Sequence, residues 1–96
     1  MKYFHRTSVS PDVVMGHATS FFGARMSPAA EAPRHLRFSG TLGQVTVRVT
    51  PEGGHYTLVE VETDQVGESE LDKLAKRFLA TVHVLAEPEH VVRGAY

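Results

Sequence analysis

The chain has 96 residues with 42% hydrophobic and 22% charged side chains, a composition too apolar for wholesale disorder and of a length suited to one domain over residues 1–96. Zero cysteines exclude disulfides, thiolate nucleophiles and cysteine metal sites, and a formal net charge of −1 argues against a generic phosphate-backbone binder, which carries a basic excess. The start, Met1-Lys2-Tyr3-Phe4-His5-Arg6, has no apolar signal region, and no later run approaches the roughly 18–20 apolar residues of a membrane span, so a cytoplasmic protein without membrane contact is expected.

Residues 2–9 alternate, with Phe4 on one side and Tyr3, His5, Thr7 and Val9 on the other, which reads as a strand. Ser10-Pro11-Asp12 then combines an N-cap, a proline at the first helical position and an acid in the first turn. In the helix that follows, Val14, Ala18, Phe21, Phe22 and Arg25 lie along one side, while Gly16 and Gly23 each weaken it by up to about 1 kcal/mol relative to alanine. It must borrow stability from packing. Residues 26–33 hold two prolines and no apolar period, and are expected to form an exposed connector.

Three strand candidates come next, over residues 34–39, 44–50 and 55–63. The separators Gly40-Thr41-Leu42-Gly43 and Pro51-Glu52-Gly53-Gly54 have hairpin spacing, hence antiparallel strands. Val45, Val47 and Val49 share a face, as do Thr57, Val59 and Val61. Pairing Val47 with Val59 joins the two rows through a three-residue loop, Glu52-Gly53-Gly54. The opposite face then carries Thr46, Arg48, Glu60, Tyr56 and Leu58.

The last element is the most strongly patterned. Over residues 69–87, Leu71, Leu74, Ala75, Phe78, Leu79, Val82, Leu85 and Ala86 keep a helical period, giving a helix roughly 28 Å long at about 1.5 Å per residue. Ser69 is the N-cap with Asp72 reaching back as in a capping box, and Pro88 stops the helix. Asp72 with Lys76 and Glu70 with Lys73 read as solvated pairs on its outer side. Residues 88–96 form a C-terminal tail.

The expected order is β-α-β-β-β-α. The expected architecture is α+β, a two-layer sandwich in which a four-stranded antiparallel sheet carries both helices on its valine face. In order of elements, the strand over residues 3–9 leading into Ser10-Pro11-Asp12, together with the helix over residues 71–85, resembles the helix-grip and TATA-binding-protein-like folds. That resemblance implies an alternative function, the binding of a small apolar ligand between the sheet and the C-terminal helix. With the first strand set aside, helix, three strands and helix are also similar to a double-stranded-RNA-binding domain, whose second helix opens with lysines aimed at phosphates. Here that place reads Gly67-Glu68-Ser69-Glu70-Leu71-Asp72, whose acids repel a phosphate backbone, so nucleic-acid binding is the least favoured function.

Six histidines invite a metal hypothesis, and His83, Glu87 and His90 are the best cluster. They lack the H-E-x-x-H spacing and Pro88 intervenes, so no metal or other cofactor is assigned. His5 and His55 lie on strands that could neighbour each other, but nothing in the sequence fixes that. There is no nucleophile elbow, no phosphate-cradling glycine loop and no pair of carboxylates in an apolar setting, so no catalytic residue is assigned and a non-enzymatic protein is expected. What remains is the outer sheet face. Tyr56, Leu58, Arg48, Glu60 and Arg37 form a mixed aromatic, aliphatic and charged patch of the kind enriched at interfaces. The chain is therefore expected to be a binding or interaction module, self-associating through that face or binding another protein there. The tail, with Val91, Val92 and Tyr96, is the competing occupant.

Overall fold

Five valines at alternate positions of two strands determine which side of the sheet is covered. Val45, Val47 and Val49 stand on one strand and Val59 and Val61 on the next, and each is at most 2% exposed. The computed structural model describes residues 1–86. The stop at Pro88, the tail and the His83, Glu87 and His90 grouping depend on residues outside the described ones.

The elements are β1 (Lys2–Thr7), α1 (Pro11–Gly23), β2 (Ser27–Ala32), β3 (His35–Gly40), β4 (Gly43–Glu52), β5 (Tyr56–Thr63) and α2 (Glu70–Ala86). The sheet runs β1-β5-β4-β3-β2, antiparallel throughout, under the two helices. The α+β sandwich is as expected, but the sheet has five strands rather than four. The stretch read as a connector is β2, paired with β3 from Ser27 opposite Ser39 to Ala32 opposite His35. All six of its residues are exposed. An edge strand that buries nothing needs no apolar alternation, and it accommodates Pro28 because one of its sides needs no donor; the register breaks between Pro28 and Ala30. Met26, just before it, is 8% exposed and belongs to the core.

The β4–β5 register also differs from expectation. Val47 opposes Val61 and Val49 opposes Val59, so the hairpin loop is Gly53-Gly54-His55 and the strands continue through Pro51 and Glu52. A slip of two residues leaves every side chain on its face, so the valine rows still meet. What places the turn is the glycine pair, both residues lying in the left-handed region at φ 60° and 76°.

Helix α1 starts as its sequence dictates, with the Ser10 hydroxyl accepting from the Val13 amide at 3.4 Å. Val14, Ala18, Phe21 and Phe22 are buried. Arg25 is not on the helix but beyond its end, where its guanidinium donates to the Phe21 carbonyl at 2.7 Å and lies 4.3 Å from the Phe21 ring centre. Between helices and sheet, Phe22 packs against Phe78 with ring centres 5.0 Å apart and against Phe38 at 5.6 Å.

In α2, Leu71, Leu74, Ala75, Phe78 and Val82 are buried, Leu79 is half-buried, and Leu85 is exposed. Asp72 is fully buried, contrary to its reading as a solvated partner of Lys76. Its amide donates to the Ser69 hydroxyl at 3.0 Å and its carboxylate accepts from that hydroxyl at 2.6 Å. The same carboxylate accepts from Thr63 on β5 at 2.8 Å and from the Tyr3 hydroxyl on β1 at 3.0 Å. The helix cap is thereby also a latch onto two strands. Lys76 pairs instead with Glu68 at 3.2 Å.

Candidate functional site

Both helices lie on the valine side, so among the described residues nothing covers the other face of the sheet. Its side chains are those of the alternate positions: Lys2, Phe4 and Arg6 on β1, Tyr56, Leu58, Glu60 and Glu62 on β5, Thr46, Arg48, Thr50 and Glu52 on β4, and His35 and Arg37 on β3. The register orders them into rows. Phe4 opposes Glu60, which opposes Arg48, which opposes His35; one row on, Arg6 opposes Leu58, which opposes Thr50.

Charge dominates the centre. Glu60 accepts from Arg48 at 3.0 Å and lies 3.9 Å from the Lys2 ammonium, while Arg48 also reaches Glu62 at 3.7 Å. Arg48 and Glu60, which the alternation sets on one face, pair across β4 and β5 and form part of a cluster of four groups over three strands. A second ion pair, Arg6 to Glu52 at 2.7 Å, joins β1 to β4 and must therefore cross β5, between the rows of Leu58 and Tyr56. That strap helps explain why Leu58 is half-buried while Tyr56 is 58% exposed.

The five residues singled out from sequence do not form one group. Arg48 and Glu60 are bonded, and Leu58 and Tyr56 follow Glu60 along β5. Arg37 stands in the row of Thr46 and Glu62, six residues along β5 from Tyr56 or roughly 20 Å, in a shallow depression with Arg48 and Asp64. The residue that the sequence reading left out is Phe4, 59% exposed and diagonal to Leu58 across the β1–β5 pair. Its place on the opposite side of the strand from Tyr3 and His5 was visible in the alternation; its neighbours were not, because they come from a pairing 54 to 56 residues away in the sequence. Phe4, Leu58 and Tyr56 form an apolar diagonal crossed by one ion pair.

Two other polar groupings bear on chemistry. The Asp72 carboxyl is pushed up by burial, but the hydrogen bonds from Ser69, Thr63 and Tyr3 outweigh this and hold it below the usual carboxylate range. A charged acceptor already engaged by three hydroxyls is suited to fixing a helix, not to taking a proton from a substrate. His5 and His83 meet edge to face at 5.9 Å where β1 passes α2, and burial, with the His83 ring beside it, holds His5 below the usual imidazole range. Among the described residues no group of three or more metal-ligating side chains occurs. His55 sits in the β4–β5 turn.

No helix among the described residues is long and apolar enough to cross a membrane. Comparison with protein-family models, with curated proteins and with solved structures finds no match to the chain. The resemblances drawn from element order thus rest on that order alone.

Proposed function

We propose that the chain is a non-enzymatic interaction module that docks a second copy of itself through the outer face of its sheet. The observation that carries this is the Phe4, Leu58, Tyr56 diagonal on an uncovered face, where two exposed aromatic rings flank a half-buried leucine. Aromatic residues set among arginines are the side chains over-represented where protein interfaces hold their binding energy. Burying both rings against a partner would contribute a few kcal/mol per protomer. The charges favour a second copy over a strongly charged partner. Lys2, Arg6 and Arg48 alternate with Glu52, Glu60 and Glu62, so a face turned on itself by a two-fold axis meets both signs without net repulsion.

The apolar-ligand alternative has less support, since the interior between sheet and α2 is filled by Phe22, Phe38, Phe78 and Val82, each at most 1% exposed. Sedimentation velocity from low to high micromolar concentration tests the proposal. The wild type should move as a dimer at the upper end and a Phe4→Ser, Tyr56→Ser double variant as a monomer with an unchanged circular dichroism spectrum. A wild type that stays monomeric throughout removes this function.

A further inference from the structure

The layer opposite the outer sheet face holds a cleft of about 290 Å³ where the end of α1, the β3–β4 turn and the first two turns of α2 meet. Its apolar wall is Met26 and Leu74, 8% and 7% exposed at the margin of the core, with Leu42 of the turn 44% exposed at the rim. Three cations, Arg25, Lys73 and Arg77, stand around it against one carboxylate, Glu70. Glu70 is engaged with Lys73 at 3.6 Å, so it offsets one cation and leaves two. Arg77 has no ion-pair partner among the described residues. Arg25 is held in place by its bond to the Phe21 carbonyl and its stacking on the Phe21 ring, which leaves most of its donors unused and costs little ordering when an anion arrives. An apolar wall under a fixed guanidinium and a second, unpaired one is complementary to a molecule with one charged end and one greasy end.

We propose that this cleft binds a small organic anion, a carboxylate or phosphate monoester on a compact apolar body, with the anionic end between Arg25 and Arg77 and the body against Met26, Leu42 and Leu74. The site lies beside α2 and not beneath it, so it needs no cavity in the filled interior. It is independent of the self-association face, which is built from other strands' side chains on the other layer.

The test is a titration of the full chain followed by amide and methyl NMR shifts, with octanoate and octyl phosphate as probes and octanol and inorganic phosphate as controls. Both amphipathic anions should give saturable shifts centred on Met26, Leu42 and Leu74, and octanol and inorganic phosphate should bind much more weakly. Preference between the two anions reports whether the natural headgroup is a carboxylate or a phosphate. Arg77→Ala, at an exposed helix position, should weaken octanoate about fivefold, the loss of one partly exposed ion contact, and Leu42→Ser should weaken octanoate while leaving the weak binding of inorganic phosphate unchanged. Shifts centred elsewhere, octanol binding as tightly as octanoate, inorganic phosphate binding as tightly as octyl phosphate, or an Arg77→Ala variant with unchanged affinity would each overturn the site.

Discussion

The two faces of the sheet are made by the same strands, one residue out of step, and they are held by different forces. On the helix side Val47 opposes Val61 and Val49 opposes Val59, all buried. One residue along, Arg48 opposes Glu60 in an ion pair whose partners are 48% and 19% exposed. The first face excludes water and carries the stability; the second exchanges water contacts for charge contacts at little net gain. A face that contributes little to folding can change its residues without unfolding the protein. That is the physical reason to look for function on the outer face.

The contrast breaks most visibly at its apolar centre. Phe78 is fully buried and touches Phe21 and Phe22, so Phe78→Ala should destabilise the fold by about 3–5 kcal/mol, read from urea midpoints. A near-neutral value would mean that the helices do not close the valine face. Asp72 is the polar exception on the covered side. Asp72→Ala leaves the hydroxyls of Tyr3, Thr63 and Ser69 without their acceptor and should cost about 3 kcal/mol, against which Ser69→Ala, which removes one donor and the cap, should cost about 1 kcal/mol. On the open side, a double-mutant cycle between Arg48 and Glu60 should give a coupling of only about 0.5 kcal/mol, and salt should reduce it. That value holds at concentrations where the chain is a monomer; a coupling of several kcal/mol there would mean that the outer face is covered even without a second copy.

The sequence disclosed the covered face well because burial imposes a period. The valine rows, the Leu71 to Val82 stripe of α2 and the Ser10 cap are all written within a few neighbouring residues. Where it failed, the missing information was long-range. β2 buries nothing, so no alternation marked it. The β4–β5 register slipped by two residues because a period-two pattern is blind to such a slip. Asp72 looked like a solvated acid beside Lys76 because its partner Tyr3 is 69 residues away in the chain. The candidate patch was half legible for the same reason: Tyr56 and Leu58 share a strand, but Phe4 joins them only through the β1–β5 pairing, and Arg37 lies far along the sheet.

The smallest expected effect sharpens the comparison from the seam between the two helices. His17 places Nε2 2.6 Å from the Thr81 hydroxyl and stacks on Phe78 at 5.5 Å, and burial holds it below the usual imidazole range. In the unfolded chain it protonates near pH 6.5, and in the folded chain only at lower pH, so between those values the unfolded state binds more protons. Its contribution to stability is therefore complete above about pH 6.5 and is lost as pH falls through the folded value. His5 acts with the same sign, for the same dominant reason. Asp72 also titrates in this direction, but below the ordinary carboxylate range, so the windows separate. Urea midpoints should thus decline modestly from pH 7 to pH 5, His17→Gln should flatten part of that decline, and His17→Gln with His5→Gln should flatten more of it. The Arg48 guanidinium keeps its charge throughout this window, so Arg48→Ala should lower or preserve the midpoint equally at both pH values. A decline that survives both histidine substitutions would take the pH sensitivity away from these two imidazoles, and one that Arg48→Ala removes would place it on the open face and undo the division between the two sides.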